Sequence, residues 1–138
     1  MTTPMMCLTV RQPWATALVR GVKKVENRSW PPGRGLAVGD WLAIHAGSAR
    51  PVPSNVHWPA EPDEHWLSAV IGAVRFCGHT PYRPGLGPWA GGEPWCWRFD
   101  DAVEFEVPIP VAGRLRLWPA PPLAVRRLRA GLELRARS

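Results

Sequence analysis

The chain has 138 residues, a formal net charge of +6 and 46% hydrophobic residues. This length suits one domain, residues 1–138, with a single core. The sequence contains no apolar run of about eighteen residues and does not begin like a signal peptide, so it predicts a soluble cytoplasmic protein with no membrane partner. Its three cysteines are odd in number and widely spaced, which argues against a disulfide framework and a structural zinc site. No metal and no cofactor are expected.

The positive charge is unevenly distributed along the chain. Residues 1–106 contain ten Lys or Arg and ten Asp or Glu, whereas residues 107–138 contain seven Arg and one Glu. Such a block suits phosphate backbones or other polyanions. A solvated basic helix at the end of a small domain explains the same pattern, and the sequence leaves both explanations open.

The first half of the chain predicts alternating short elements. Gln12-Pro13 follows an apolar run and opens a short helix over residues 13–20, which Gly21 ends. Pro and Gly at residues 31–35 predict a turn between two of the strands. The predicted strands are 5–10, 24–30 and 40–46.

The second half predicts more strand and one late helix. Residues 47–62 and 78–94 are rich in Pro, Ser or Gly and predict two long loops. Asp100-Asp101 predicts a hairpin turn between two of the strands. The final helix, 121–138, is basic and has an apolar stripe at Val125, Leu128 and Leu132. The predicted strands are 68–77, 95–99, 103–109 and 115–118. Together these elements predict an α+β fold, a small β-barrel of about five to seven strands with an N-terminal and a C-terminal helix.

The stretch from residue 12 to residue 30 is the best candidate for chemistry. It contains both lysines of the chain, Lys23 and Lys24, although the chain has fifteen arginines in all. Lysine can lose its proton and act chemically, whereas arginine cannot. Two ordinary surface lysines in an arginine-rich chain are the simpler explanation.

Alternation along the predicted strand places Lys24, Glu26, Arg28 and Trp30 on one face. If that face opens onto a cleft, Lys and Arg can hold a phosphate, Glu can accept a proton or a hydrogen bond from a base, and Trp can stack on a base. If it does not, the same residues form a salt-bridge ladder of little energetic value. The spacing alone does not decide between the two.

These residues resemble the signature of the ASCH domain (activating signal cointegrator homology). The resemblance lies in QPWA at residues 12–15, GxKxxExRxW at 21–30, LAIHAG at 42–47 and VPIPVAGRLRLW at 107–118. It implies a PUA-like β-barrel with a cleft beside the first helix and a role in binding RNA or DNA. Spacing from Gly21 then makes Lys23 a better candidate than Lys24.

Related PUA-like proteins include hydrolases, among them acetylcytidine amidohydrolases and ribonucleases. The amidohydrolase motif resembles GxKxxTxR, in which Lys and Thr are catalytic. Lys23 and Arg28 match that pattern, but Glu26 stands at the hydroxyl position. The likeness is therefore closer to the cointegrator branch, although Glu26 beside Lys23 could act as a general base on water.

Three functional hypotheses follow from the sequence. The first is a nucleic-acid-binding domain with a basic cleft: four basic residues contact phosphate, Glu26 orients or reads a base, and two tryptophans stack. The candidates are Arg11, Trp14, Lys23, Lys24, Glu26, Arg28 and Trp30. His45 is either a further cleft residue or a buried histidine with its bonds satisfied. The second is a hydrolase of a modified nucleoside or of RNA, with Lys23 and Glu26 as acid/base pair and loop 78–94 as a lid. The third is a module that binds protein partners.

Overall fold

The computed structural model describes residues 4–53 and 56–138, so part of the loop predicted at 47–62 lies outside the described residues. Within the described residues the chain forms six strands, two α-helices and one 3₁₀ turn. They are β1 Met6–Val10, α1 Trp14–Val19, β2 Val25–Arg28, the turn Gly33–Gly35, β3 Trp41–Ala46, β4 Ala69–Pro81, β5 Trp95–Pro110, β6 Leu117–Pro119 and α2 Pro122–Ala136. The predicted α+β class is confirmed.

The strands form one curled sheet in the order β2-β5-β4-β3-β1-β6, a half-barrel. β1 and β3 are parallel, and every other neighbouring pair is antiparallel. β1 and β3 therefore end at the same edge of the sheet. β6 begins at that edge, because it runs antiparallel to β1 with Leu117 opposite Leu8.

The two helices cover opposite faces of the sheet. Successive residues of a strand point to opposite sides, so one strand contributes residues to both faces. On β1, Leu8 packs in the cluster that contains α1, whereas Cys7 packs in the cluster that contains α2. α1 buries nearly all of its six residues, and α2 buries Ala124 and Leu128. Within the described residues, neither helix has the length and apolar character needed to cross a membrane.

The prediction of two strands joined by a hairpin at Asp100-Asp101 is wrong, because residues 95–110 form one continuous strand, β5. The two aspartates are held by partners distant in sequence. Asp100 accepts a hydrogen bond from Arg75 at 2.8 Å, and Asp101 accepts two from Arg135 at 2.8 and 2.9 Å. β4 also continues to Pro81, so the second long loop begins only at residue 82.

The apolar stripe predicted for α2 is partly wrong. Leu128 is buried, but Val125 is 39% exposed and Ala124 packs against the sheet instead. Gly131 permits this close packing, since a Cβ at that position would lie 2.5 Å from Val103 Cγ1. The helix therefore approaches the sheet through small residues.

The cysteines have the reduced state that their spacing predicts. Cys7 and Cys96 are buried, Cys77 is half-buried, and all three are free thiols. Burial raises the pKa of the Cys7 thiol to about 12 and that of Cys96 above its ordinary value. These thiols therefore stay protonated near neutral pH and are poor nucleophiles.

Candidate functional site

A cavity of about 620 Å³ opens at the edge where β1 and β3 end. One wall is formed by the end of β1 and the start of α1, with Arg11 and Trp14. The other walls are residues 47–49, which follow β3, and residues 91–93, which precede β5. Lys23, Glu26 and Arg28 also line it, beside Thr9 and Asn27. Its volume lies within the range of small-ligand sites, about 300–1,000 Å³.

Lys23, Glu26 and Arg28 form a buried ion network in this cavity. Lys23 Nζ lies 2.7 Å from Glu26 Oε1, and Arg28 Nη2 lies 2.9 Å from Glu26 Oε2. Lys23 Nζ also donates to the carbonyl of Val25. The side chains of Lys23, Glu26 and Arg28 are 2%, 9% and 23% exposed. Lys23 precedes β2 and enters the site because the chain turns at Gly21, where φ is +74°.

The network carries one excess positive charge. Burial would raise the pKa of the Glu26 carboxyl, but the charges and hydrogen bonds of Lys23 and Arg28 outweigh burial and hold the pKa below its ordinary value. Glu26 is therefore ionised at neutral pH, and each of its oxygens already has a cationic partner. Two cations and one anion leave the cavity suited to an anionic group.

Arg28 also connects two strands that are not neighbours in the sheet. Its Nη2 donates to the carbonyl of Thr9, at 2.8 Å, and so links β2 to β1 across the open side of the half-barrel. Within the described residues, its contacts to Glu26 and Thr9 use Nε and Nη2. Nη1 therefore makes no hydrogen bond to a residue of the described part of the chain.

Gln12 fixes the start of α1 beside the cavity. Its Oε1 accepts hydrogen bonds from Thr16 N at 2.9 Å and from Thr16 Oγ1 at 3.0 Å, and its Nε2 donates to the carbonyl of Trp66 at 3.0 Å. Gln12 is fully buried, so its part in the QPWA stretch is structural. It holds Arg11 and Trp14 at the cavity wall. Arg11 Nε and Nη2 donate to the carbonyl of Arg50.

Asn27 holds the loop over residues 82–94 against the cavity. Its Nδ2 donates to the carbonyl of Trp89 at 2.8 Å, and its Oδ1 accepts from Gly91 N at 3.0 Å. The rings of Trp89 and Trp58 meet at 6.5 Å, which joins this loop to the one that follows β3. Asn27 is not among the site residues predicted from the sequence. The sequence feature that could have identified Asn27 is an amide side chain on a strand, in a chain whose long Gly-rich loop needs hydrogen-bond partners.

Asn27→Ala should loosen this loop. The variant removes both hydrogen bonds, and we expect a loss of about 1–2 kcal/mol in the free energy of unfolding. Hydrogen exchange at the Gly91 amide should become faster. Asn27→Asp keeps the acceptor for Gly91, so its stability and its exchange rate at Gly91 should lie between those of the parent and of Asn27→Ala. Unchanged exchange at Gly91 in Asn27→Ala would contradict the anchoring role of the side chain.

Five of the predicted site residues line one cavity: Arg11, Trp14, Lys23, Glu26 and Arg28. Lys24 and Trp30 do not, which corrects the prediction that they share the face of Glu26 and Arg28. The strand extends only over Val25–Arg28, so its alternation does not reach either residue. Lys24 is exposed and lines a smaller cavity of about 240 Å³ with Asp100 and Asp101.

Trp30 is a packing residue in this structure. Its ring meets the ring of Trp97 edge-on at 4.8 Å, and its carbonyl accepts a hydrogen bond from Trp97 Nε1. The guanidinium carbon of Arg116 lies 4.2 Å from its ring centroid. The Arg116 guanidinium therefore occupies a ring face that base stacking would need.

His45 is 1% exposed and is not among the residues that line the cavity. Its Nε2 lies 2.6 Å from the carbonyl of Val111, which can only accept, so Nε2 carries the proton. Nδ1 then accepts from the Thr9 hydroxyl at 3.2 Å, and that oxygen accepts from Trp118 Nε1 at 3.3 Å. Burial lowers the pKa of His45. Of the two alternatives for His45, the structure therefore shows the buried histidine whose hydrogen bonds are satisfied, and not a further cleft residue.

Solved structures resemble the whole of this fold. The crystal structure of ASCH from Zymomonas mobilis is 16% identical and superposes with a TM-score of 0.56, covering 94% of this chain and 96% of that chain. A point mutant of that protein superposes with a TM-score of 0.58 at 16% identity, over 93% of this chain and 96% of that one. At such low identity these structures support the fold alone.

Sequence comparison identifies the family. Activating signal cointegrator 1 of Homo sapiens and of Mus musculus are each 51% identical to this chain over 51 residues. The match covers 36% of this chain and 8% of each relative, so the chain spans only a small part of their length. The family model of the ASCH domain matches residues 8–78, which contain α1, β2 and the ion network. The chain belongs to the ASCH domain family.

Proposed function

We propose that this chain binds RNA or DNA by taking one unstacked nucleotide into the cavity. The observation that carries the proposal is the buried Lys23–Glu26–Arg28 network with its excess positive charge. A phosphate would contact Arg28, whose guanidinium is partly exposed, while the charge of Lys23 acts from behind. The ligand would be a single strand or a flipped nucleotide, because a base inside a duplex does not enter a concave site.

Trp14 and Arg11 support the same proposal from the adjacent wall. Trp14 is half-buried at the cavity, and stacking on such a ring contributes about 1–3 kcal/mol per base. Arg11 is exposed and adds positive charge where a strand would leave the cavity. Glu93 lines the opposite side and could accept a hydrogen bond from a base amino group.

A hydrolase acting on a modified nucleoside or on RNA is the second candidate. The contact of 2.7 Å between Lys23 Nζ and Glu26 Oε1 favours it, since an acid/base pair needs such proximity. A general base works best with a pKa near the working pH, whereas the pKa of Glu26 is lowered. We therefore rank hydrolysis below binding. Turnover of acetylcytidine or labelled RNA that disappears in Glu26→Gln would reverse this order.

The double variant Lys23→Ala/Arg28→Ala tests the binding proposal. We expect its affinity for a labelled single strand of about twelve nucleotides to fall at least about tenfold, with a weaker salt dependence. Fluorescence anisotropy at several salt concentrations measures both quantities. Arg28→Gln, which keeps the Lys23–Glu26 pair and should disturb the fold less than the double variant, should lose part of the affinity.

Arg126→Ala/Arg137→Ala is the control for net charge, because it also removes two positive charges, from α2 and its C-terminal end, and α2 covers the other face of the sheet. It should bind almost as the parent does. Equal binding by a folded Lys23→Ala/Arg28→Ala variant would contradict the cavity assignment. A protein partner, as the cointegrator name of the relatives suggests, would instead be retained from an extract after nuclease treatment.

A further inference from the structure

The segment over residues 111–116, here named the arginine loop, lies beside the cavity. It connects β5 to β6, and β6 begins at the edge where β1 ends. The carbonyl of Val111 is bound to His45 at 2.6 Å. Gly113 lies so close to Thr9 that a Cβ would be 2.8 Å from Thr9 Oγ1, and Thr9 itself lines the cavity. The base of the loop is therefore fixed against the end of β1, next to the cavity.

Two arginines of this loop are held on tryptophan rings. Arg116 lies 4.2 Å from the ring centroid of Trp30, and Arg114 lies 5.7 Å from that of Trp118. Arg116 has a φ of +59°, a conformation that a residue with a side chain adopts at a cost. Stacking leaves the guanidinium edges free to donate and restricts the side chains before a ligand arrives. Both residues are exposed.

The charges around the arginine loop favour an anionic partner. Residues 107–132 contain no Asp or Glu. Arg34 is exposed on the turn whose Gly35 faces Leu117, at the start of β6. By contrast, Arg135 at the far end of α2 is paired with Asp101. The late arginines therefore differ in their surroundings, and the two that lie over tryptophan rings belong to the loop that contacts the end of β1.

Leu115 lies between the two stacked arginines and is 92% exposed. A large apolar side chain at the tip of a basic loop suits a ligand that alternates charged and flat apolar groups. A single strand of nucleic acid has this alternation, because a base lies between successive phosphates. Apolar side chains such as Leu also pack on unstacked bases in known modes of recognition.

We propose that the strand leaving the cavity crosses the arginine loop, where Arg114 and Arg116 bind its phosphates and Leu115 packs on a base between them. This rests on the proposed function, and it adds a second contact outside the cavity. A dinucleotide would reach the cavity alone, whereas a strand of about twelve nucleotides would reach both contacts. Trp30 then supports binding indirectly, as the platform for Arg116.

Arg114→Gln/Arg116→Gln tests the phosphate contacts. We expect the affinity for the longer single strand to fall about tenfold, and the salt slope to decrease by about 1.4 for two lost contacts. Binding of the dinucleotide, measured by calorimetry, should stay unchanged. Arg126→Gln/Arg137→Gln removes the same charge from α2 and should change the affinity much less.

Leu115→Ser tests the apolar contact separately. It should weaken binding of the longer strand several-fold and leave the salt slope unchanged, because no phosphate contact is lost. Unchanged binding of the longer strand by both loop variants would overturn the inference. If Lys23→Ala/Arg28→Ala still lost binding, the proposed function would stand without it. The same loop variants can be tested for binding to vesicles of anionic lipid. If they lose vesicle binding but still bind the longer strand, the loop contacts a membrane surface and not the strand.

Discussion

Glu26→Gln should lower the free energy of unfolding by about 3 kcal/mol, because it leaves two cations beside each other without their anion. Lys23 is destabilised more than Arg28, because its side chain is only 2% exposed and water cannot replace the lost carboxylate. The partial exposure of Arg28 keeps the loss near the lower end for a broken buried pair. Denaturant unfolding at neutral pH measures the difference.

Glu93→Gln is the matched control, because Glu93 lines the same cavity but is exposed. It should change the unfolding free energy by less than about 0.5 kcal/mol. Equal small losses in the two variants would contradict a stabilising role for the ion network.

The pH dependence has a definite sign. The pKa of Glu26 in the folded chain lies below its ordinary 4.5, so its ionised form stabilises the fold above that pH. This contribution disappears as the pH falls below 4.5 and through the folded pKa. Glu26→Gln should therefore lose less stability than the parent over the same acid range.

Gly72→Ala should lower the free energy of unfolding at least as much as Glu26→Gln does. β4 passes between α1 and β5 at this residue, where a Cβ would lie 2.4 Å from the carbonyl oxygen of Val103 and 2.7 Å from Val19 Cβ and Cγ1. One obstacle is backbone and the other belongs to a buried helix, so neither can move aside cheaply. We expect a loss of about 3 kcal/mol, at the upper end for overpacking.

Gly87→Ala separates this clash from the ordinary cost of replacing glycine. Gly87 has a φ of +98° in the loop before β5, and an added Cβ meets no atom within 4 Å. Its substitution should cost about 1 kcal/mol, through backbone conformation alone. Thermal unfolding of the two variants under one buffer compares them. A loss in Gly72→Ala no larger than that in Gly87→Ala would show that α1 moves readily away from β4.

The sequence predicted the elements whose signals are local. β1, α1 and β3 lie within one or two residues of the predicted bounds, because Pro13 and Gly21 limit the helix and apolar runs mark the strands. β5 was predicted as two strands because Asp-Asp is common in turns. The partners of Asp100 and Asp101 are Arg75 and Arg135, which are 25 and 34 residues away in the sequence. No local pattern predicts these contacts.

The candidate site was predictable to the extent that its motif is contiguous. Spacing from Gly21 and likeness to a family identified Lys23, Glu26 and Arg28. Strand alternation alone included Lys24 and Trp30, because it does not tell where a strand ends. The contribution of Asn27 depends on contacts to residues 62 and 64 positions away, which only the folded chain brings together.

The contact between Arg28 and Thr9 has a consequence for how this site can diverge. Because one ion network both joins β2 to β1 and lines the cavity, any substitution that alters the cavity there also alters the stability of the half-barrel. The two loop walls of the cavity are free of this constraint, since Ser48, Ala49 and Glu93 are exposed loop residues. The proposed function therefore predicts that paralogues with different base preferences differ in these loops and keep the Lys23–Glu26–Arg28 network.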